Sequence, residues 1–334
     1  MCSRPTTEPI PLDRDVGAAI IDAAVAWFAK HGRDLPWRRT RDPWAILVSE
    51  VMLQQLRVAR TTPFYERFIA RFPTPASLAG ATLGEALRVW GDLGRYRAAA
   101  ALHRTAGILV AGHDGRVPTA VDELLALPGI GPYTAGAIAC FAHEQPVAFL
   151  DTNAKRVLHR VFVGVDVPRP TVRPSELRDL ADRLVPSKGA WAWNQSLIEV
   201  GALCCKARSV DCGVCPLSRW CVARPEIAAE LAMLPRREAA TRYVGTNRQH
   251  RGQVLRVLRE ADDVVVSVDD VGRRLRPGYD ASDRPWIDAV VTSLVADGLV
   301  RRERPSGRRV VEDQAVYLVD DATERMADEV IGLP

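Results

Sequence analysis

Long uninterrupted hydrophobic runs are absent from this chain of 334 residues. No window approaches the roughly 18 consecutive apolar residues of a membrane-spanning helix, so we expect a soluble protein that does not enter the membrane. No basic N-terminus with an apolar stretch behind it marks the chain for secretion, and we therefore expect a reducing, cytoplasmic environment. Lysine is scarce, and the net charge is only +4. This mild basic excess is compatible with nucleic-acid binding.

Alternating strand patterns are also missing before about residue 260. Apolar residues instead recur three and four positions apart, which predicts helices and an all-α fold for the first two thirds of the chain. The predicted helices are 17–30, 43–60, 64–71, 84–91, 97–112, 121–126, 133–141, 152–162, 174–184 and 190–203.

The last third has a different pattern. Helices are predicted at 248–260, 267–275 and 284–298, followed by a β-hairpin at 300–319 with its turn at Pro305-Ser306-Gly307. Three helices and a hairpin indicate a small α+β domain of the winged-helix type. The predicted organisation is an N-terminal tail (1–16), a helical domain (17–225), a linker (226–247), a winged-helix-like domain (248–320) and a C-terminal tail (321–334).

Arginines are concentrated in the predicted hairpin. This cluster is either a DNA-contacting wing or a solvated charge run. It comprises Arg301, Arg302, Arg304, Arg308 and Arg309.

Four cysteines have the spacing C-x6-C-x2-C-x5-C, which predicts a metal centre. They are Cys205, Cys212, Cys215 and Cys221. A zinc site usually pairs two C-x2-C knuckles, whereas this pattern has one knuckle with single cysteines outside it, which favours a [4Fe-4S] cluster. Cys2, Cys140 and Cys204 lack such spacing, and Cys204 is predicted to pack as a small apolar side chain. Lys206 and Arg208 would make the cysteine loop basic and able to meet a DNA backbone.

The segment 124–138 places Gly129 and Gly131 between two helical patterns. Glycines allow a tight turn there, and free N–H groups at the start of the second helix can bind a phosphate. A plain interhelical turn is the alternative reading.

Two carboxylates stand in contrasting settings. Glu50 lies among apolar residues of a predicted helix, where loss of water should raise its pKa, as suits a general acid. Asp151 precedes a predicted helix, where the helix dipole and free amides should lower its pKa and keep it ionised. Cleavage of a glycosidic bond uses such a pair. The alternatives are a solvated side chain for Glu50 and an ordinary helix cap for Asp151.

These motifs together resemble the helix-hairpin-helix DNA glycosylase superfamily, and within it the MutY adenine DNA glycosylases. The resemblance covers about residues 20–225. It rests on RDLPWR (33–38), SEVMLQQ (49–55), LPGIGPYTAGAI (127–138), LDTNAKRV (150–157), IEVGALCC (198–205) and the cysteine spacing. It implies that adenine is flipped out of mismatched or oxidised double-stranded DNA and that its N-glycosidic bond is hydrolysed.

The resemblance also implies roles for individual residues. Glu50 corresponds to the acid that protonates adenine N7 and Asp151 to the carboxylate facing the sugar cation, with support from Tyr133 and Asn153. The other matched positions line the adenine pocket or contact DNA, and each has an ordinary core or surface role as its alternative. They are Arg33, Trp37, Arg38, Leu53 and Glu199 for the pocket, and Gln55, Arg95, Tyr96, Gly129 and Gly131 for DNA.

Several positions depart from the family pattern. Leu56 replaces a threonine, and Arg95 stands where an aromatic residue usually inserts beside the opposing base, with Tyr96 following it. The C-terminal region does not resemble the usual Nudix-like domain and is instead similar to the short one of actinobacterial members. These departures predict an altered preference for the base opposite adenine.

Tyr133 stands where the endonuclease III branch has a lysine that forms a Schiff base, so we expect a monofunctional enzyme. A mismatch glycosylase that removes thymine or uracil opposite guanine is one alternative. A non-catalytic DNA-binding regulator is another. We expect a monomer that works on the nucleoid.

Overall fold

The computed structural model describes residues 11–235, 243–261, 265–303, 310–312, 315–317 and 330–334. Helices dominate these ranges, as predicted. In chain order they are α1 (Arg14–His31), α2 (Pro43–Leu53), α3 (Val58–Arg71), α4 (Pro75–Ala79), α5 (Leu83–Trp90), α6 (Tyr96–Gly112), α7 (Val121–Leu125), α8 (Pro132–His143), α9 (Thr152–Phe162), α10 (Pro174–Leu184), α11 (Ala190–Leu203), α12 (Ile227–Met233), α13 (Asn247–Glu260), α14 (Val268–Leu275) and α15 (Arg284–Ala296). None of these helices combines the length and apolarity needed to cross a membrane.

The strands are short and lie near the C-terminus. They are β1 (Val266–Ser267), β2 (Arg301–Glu303), β3 (Val310–Glu312), β4 (Ala315–Tyr317) and β5 (Val330–Gly332). An antiparallel sheet has the order β1-β5-β2, and β3 pairs with β4.

The chain divides into two compact units. The first comprises the described parts of Met1–Gln54 and Val117–Arg237, and the second those of Gln55–Arg116 and Glu238–Pro334. Each unit is therefore built from two separate stretches of sequence.

In the first unit, α1, α9, α10 and α11 share one apolar core, while α2 packs against α8. The stripe predicted on α9 is part of this core, with Val157, Leu158 and Val161 all buried. Helix α2 is buried from Trp44 to Met52 without a break, which is why its residues show little amphipathic pattern. A polar side chain in the middle of α2 is therefore surrounded by protein.

The turn between α7 and α8 has the predicted helix-hairpin-helix form. Leu127 and Ile130 are buried and fix the turn against the unit. Gly129 has φ +78, a left-handed conformation that favours glycine, whereas Gly131 has φ −100 and open space at its Cβ position. Pro132 occupies the first position of α8, where its missing N–H costs no helical bond.

The prediction of one continuous helix over 43–60 is wrong, because the structure has two helices there. Helix α2 ends at Leu53, and α3 begins at Val58. Gln55 lies in the break with φ +62. The apolar spacing continues across the break and no glycine or proline marks it, so the periodicity of the sequence gives no sign of it.

In the second unit, α3 to α6 enclose an aromatic core in which Phe68 packs edge-on against Trp90 and beside Phe72. Helices α13, α14 and α15 pack against each other. Their apolar faces include Leu255, Val271 and Leu294, which are buried.

The predicted hairpin at 300–319 is wrong in its pairing. Strand β2 pairs with β5, and β3 pairs with β4 across residues 313–314. The expected turn at 305–307 lies outside the described residues, as do Arg304, Arg308 and Arg309 of the arginine cluster. Arg302 is half-buried and donates to Asp288 at 3.3 Å. Strand β5 falls within the segment predicted as a tail, and α12 falls within the predicted linker.

Candidate active site

Glu50 is the buried carboxylate of α2, with 6% of its surface exposed. Burial raises its pKa to about 7, and the nearby charge of Asp151 adds to this rise. A hydrogen bond with Tyr133 and the charge of Arg38 act in the opposite direction without cancelling it. Near neutral pH, Glu50 can therefore hold a proton and release it, as a general acid must.

Asp151 caps the N-terminus of α9. Its carboxylate accepts a hydrogen bond from the Ala154 backbone N–H at 2.6 Å and another from Asn153 Nδ2 at 2.8 Å. The prediction that the cap holds its pKa down is wrong, because burial raises the pKa by more than these hydrogen bonds and the charge of Arg156 lower it. The two hydrogen bonds still favour the anion specifically.

Tyr133 lies at the start of α8 and packs edge-on against Phe149, with ring centroids 5.4 Å apart. Burial, followed by the negative charges of Glu50 and Asp151, raises the pKa of its hydroxyl well above the ordinary value. Tyr133 therefore stays neutral and hydrogen-bonds Glu50. The structure thus brings Glu50, Asp151, Tyr133 and Asn153 together in one polar group, in which Glu50 is buried and the other three are half-buried.

Glu199 of α11 is completely buried and paired with two arginines. Arg33 Nε and Arg38 Nη2 each donate to one of its oxygens. Arg38 also donates to Gln195 Oε1 at 2.8 Å and to the carbonyl of Arg33 at 2.9 Å. Because both carboxylate oxygens carry a partner, Glu199 holds the two guanidinium groups in place, and Arg38 extends its positive charge towards Glu50.

The two remaining pocket candidates also belong to the first unit. Trp37 is buried in the short helical turn Pro36–Arg38, and Leu53 is the half-buried last residue of α2.

Gln55, Arg95 and Tyr96 belong to the second unit. Arg95 Nη1 donates to Gln55 Oε1 at 2.6 Å, which joins two of the five predicted DNA-contacting residues. Both have positive φ, +62 at Gln55 and +53 at Arg95. Tyr96 is half-buried and begins α6.

Arg156 is a site residue that the sequence reasoning missed. Its guanidinium donates to Asn153 Oδ1 at 2.7 Å, to the Gly201 carbonyl at 2.8 Å and to the Cys205 carbonyl at 2.6 Å. It therefore connects the side chain that holds Asp151 to the cysteine loop. Gly201 is required for this approach, because a Cβ there would lie 2.6 Å from Asn153 Cβ.

The cysteines of the predicted metal centre line one cavity in the first unit. Cys204 lies on its wall too, together with Val157, Arg160 and Val200. All five cysteines on the cavity wall are free thiols. Among the residues described by the structure, no group of three or more His, Cys, Asp or Glu side chains is arranged to hold a metal ion. The structure brings the four cysteines to the wall of one cavity.

The chemistry of this cavity requires a positive partner for the thiolates. Burial raises the pKa of Cys215 to about 12 and also raises the pKa values of Cys212 and Cys221. Arg160, which the sequence reasoning also missed, is 1% exposed and points Nη1 at Cys205 Sγ, 3.4 Å away. Arg156 and Arg160 lie four residues apart on α9, and this spacing could have identified them.

Comparison with known proteins places the chain in a family. The model of the HhH-GPD superfamily of base excision DNA repair proteins matches residues 48–183. An adenine DNA glycosylase of Mycolicibacterium smegmatis is 42% identical over 282 residues, covering 83% of this chain and 91% of the relative. One from Mycobacterium tuberculosis is 40% identical, covering 83% and 89%. The human adenine DNA glycosylase is 37% identical, covering 66% of this chain and 42% of its own.

Solved structures agree in fold. A thermostable thymine-DNA glycosylase superposes with a TM-score of 0.59 at 26% identity, covering 64% of this chain and 98% of its own. A trapped endonuclease III–DNA complex gives 0.55 at 24% identity, covering 65% and 99%, which supports the fold alone. The expected resemblance is confirmed, and the chain belongs to the MutY-type adenine DNA glycosylases of the HhH-GPD superfamily.

Proposed function

We propose that the protein is a monofunctional enzyme that hydrolyses the N-glycosidic bond of adenine paired with 8-oxoguanine or guanine in duplex DNA. The observation that carries this proposal is the buried Glu50 beside the half-buried Asp151. Burial raises the pKa of Glu50 to about 7, so that it can carry a proton, while Asp151 accepts two hydrogen bonds that favour its anion.

The pair supports a stepwise cleavage. Protonated Glu50 gives its proton to the leaving adenine, and the bond between the sugar and the base breaks with its electrons going to the base. The sugar is left as an oxocarbenium-like cation, which the Asp151 carboxylate stabilises. Water then adds to the sugar and releases a proton, leaving an abasic site. Asn153 holds Asp151 in position, and Tyr133 holds Glu50 through its hydrogen bond.

Tyr133 supports a reaction that stops at base removal. A neutral tyrosine hydroxyl cannot form the imine through which a lysine would open the sugar and cut the strand. We therefore propose that the DNA backbone stays intact until alkali or a second enzyme cuts it.

The surrounding residues fit a pocket for a flat base. Arg33 and Arg38, fixed by Glu199, offer guanidinium planes, and Trp37 and Leu53 offer apolar surface. We assign DNA contacts to Gln55, Arg95 and Tyr96 of the second unit. The helix-hairpin-helix turn with Gly129 and Gly131 would contact a phosphate through backbone N–H groups.

We propose that Cys205, Cys212, Cys215 and Cys221 hold a [4Fe-4S] cluster. The single C-x2-C knuckle with one cysteine on either side of it supports a cluster over a single zinc ion, which usually pairs two such knuckles. Such a cluster would cross-link the loop after α11. Lys206 and Arg208 are exposed on that loop, where they can meet DNA phosphates.

Removing one ligand tests the cluster. Cys212→Ser is expected to lose most of the bound iron and the visible absorption of the cluster, and to weaken duplex binding more than it slows base release in the bound fraction. Cys140→Ser is the matched control, because Cys140 is buried between α8 and α11 outside the cavity. Normal affinity with lost turnover in Cys212→Ser would contradict the proposed role in binding, and unchanged iron content would contradict the ligand assignment.

A second function has one observation in its favour. The thymine-DNA glycosylase named above shares the fold at 26% identity, so removal of thymine or uracil opposite guanine is the alternative substrate choice. A non-catalytic regulator is disfavoured, because it would have no need for Glu50 and Asp151 in one polar group.

A panel of duplexes separates these functions. Purified protein is incubated with duplexes containing one A:8-oxoG, A:G, T:G or U:G pair, and the products are treated with alkali to show the strand and the base removed. Cutting at adenine only after alkali supports the proposal. Cutting at thymine or uracil supports the alternative, and binding without any base release supports the regulator. Light scattering of the same preparation tests the proposed monomer, and fluorescence microscopy of the tagged protein tests nucleoid association.

A further inference from the structure

The loop that carries Arg95 is strained. It runs from Gly91, with φ +61, to the start of α6 at Tyr96, and Arg95 within it has φ +53. Gln55, the hydrogen-bond partner of Arg95, has φ +62. A left-handed conformation is unfavourable for a residue with a side chain, and it persists only where the surroundings enforce it. Both members of this exposed pair are therefore held by contacts elsewhere.

Arg259 of α13 supplies contacts on both sides of Arg95. Its side chain is only 8% exposed. It donates to the Gly91 carbonyl, to Asp92 Oδ1 and to the Tyr96 hydroxyl, the last at 2.9 Å. The guanidinium also lies over the Tyr96 ring, 5.4 Å from its centre. The guanidinium of Arg259 thus hydrogen-bonds residues both before and after Arg95. A lysine ammonium cannot reproduce this planar arrangement of donors.

A second set of contacts holds the start of α6. Arg97 donates twice to Asp297, at 2.8 and 2.6 Å, and Arg251 of α13 donates to the same carboxylate. Arg251 also bonds Ser293 of α15 at 2.6 Å. The C-terminal helices therefore contact both the loop and the helix that follows it, all within the second unit.

We propose that Arg259 is a specificity-determining positioning residue, which fixes the loop at 91–96 so that the Gln55–Arg95 pair meets the DNA in one orientation and discriminates between bases opposite adenine. This inference rests on the proposed function. Arg259 itself touches neither substrate nor the reacting atoms in this account. Through Arg259, the C-terminal region would influence DNA recognition by fixing the loop at 91–96, without contacting the DNA at this residue.

The test compares Arg259→Gln and Arg259→Lys with Arg256→Ala. Arg256 lies on the same helix and approaches the same Asp92 carboxylate at 3.5 Å, but is 56% exposed. Single-turnover rates of adenine release are measured opposite 8-oxoguanine and opposite guanine. The ratio of the two rates is expected to change about tenfold in both Arg259 variants, as loss of charge-assisted hydrogen bonds implies, and to stay within about twofold in Arg256→Ala.

A merely structural role would lower both rates by the same factor. An unchanged ratio in the Arg259 variants, or an equal change in Arg256→Ala, overturns the inference. If Arg259→Gln does not fold, Tyr96→Phe removes one acceptor of the same fork and is expected to shift the ratio in the same direction. An unchanged ratio in Tyr96→Phe and Arg259→Lys then overturns it.

Binding distinguishes failure of this inference from failure of the proposed function. Fluorescence anisotropy gives the Kd for duplexes that differ only in the base opposite adenine. If wild-type protein releases no adenine, the proposed function is wrong, and a changed Kd ratio in Arg259→Gln still supports the positioning role. If wild-type protein releases adenine and Arg259→Gln keeps both ratios, the positioning role alone is wrong.

Discussion

Helices α2 and α9 each contribute one carboxylate to the same polar group, and the two carboxylates have different surroundings. Glu50 lies in the middle of α2, where the backbone N–H groups are already used by the helix, and its polar partner is the Tyr133 side chain. Asp151 lies at the start of α9 and accepts from Ala154 N and Asn153 Nδ2. Burial raises the pKa of both groups. A helix cap therefore limits the effect of burial on an acid without reversing it.

The largest expected effect comes from removing the carboxyl group of Glu50. Glu50→Gln removes the proton donor and is expected to slow adenine release by roughly 10²- to 10⁴-fold, while duplex affinity stays near that of wild type. Single-turnover assays and anisotropy measure the two quantities. Glu123→Gln, an exposed glutamate on α7, is the control. Full base release by Glu50→Gln would show that another group supplies the proton.

The pH dependence of the single-turnover rate tests both carboxylates, Glu50 and Asp151. Glu50 acts in its protonated form, so the single-turnover rate is expected to fall about tenfold for each pH unit above its pKa of about 7. On the acid side the rate falls where Asp151 takes up a proton, at a pH above the usual range of an aspartate. The alkaline fall should vanish in Glu50→Gln. A flat wild-type profile up to about pH 9 would be inconsistent with the assignment.

The raised pKa of Glu50 also affects stability. The folded protein binds this proton more tightly than the unfolded chain does, so the stability present below the ordinary pKa of 4.5 is lost as the pH rises to about 7. This loss corresponds to about 3 kcal/mol. Glu50→Gln has no such loss, and its melting temperature is expected to exceed that of wild type at pH 8 by more than at pH 5. Equal differences at both values would contradict the burial argument.

The smallest expected effect acts on the Asp151 side. Gly201→Ala places a Cβ 2.6 Å from Asn153 Cβ, and is expected to cost roughly 1–3 kcal/mol of stability and to slow base release by displacing Asn153. Gly107→Ala is the matched control, because it lies in α6 with open space around it and should stabilise the protein by roughly 0.5–1 kcal/mol. Thermal unfolding and single-turnover rates measure both variants. Equal behaviour of the two would show that Asn153 tolerates displacement.

The sequence predicted the helices of the first unit closely because their signals are local. Asp151 was recognisable as a helix cap, and the four cysteines as one centre, from neighbouring residues alone. The pKa direction of Asp151 was predicted wrongly because burial depends on helices distant in sequence. Arg156 and Arg160 share a local four-residue spacing, but the Gly201 carbonyl and the Cys205 sulfur that they contact lie 45 residues further along the chain.

The C-terminal region was harder to predict. The hairpin assignment assumed that consecutive strands pair, whereas β2 pairs with β5 about 30 residues further on. The break between α2 and α3 was also missed, because Gln55 adopts a left-handed conformation without any glycine to indicate it. Both features depend on long-range contacts rather than on residue type.

Strand β5 has a consequence for biosynthesis. Its three residues lie between β1 and β2 and pair with both, and the carbonyl of Pro334 accepts from Gly84 in the N-terminal half of the same unit. The sheet cannot close until residues 330–332 have left the ribosome, although α3 to α6 emerge long before. Termination of translation just before residue 330 would therefore produce a polypeptide that contains β1 and β2 but lacks the strand that pairs with both.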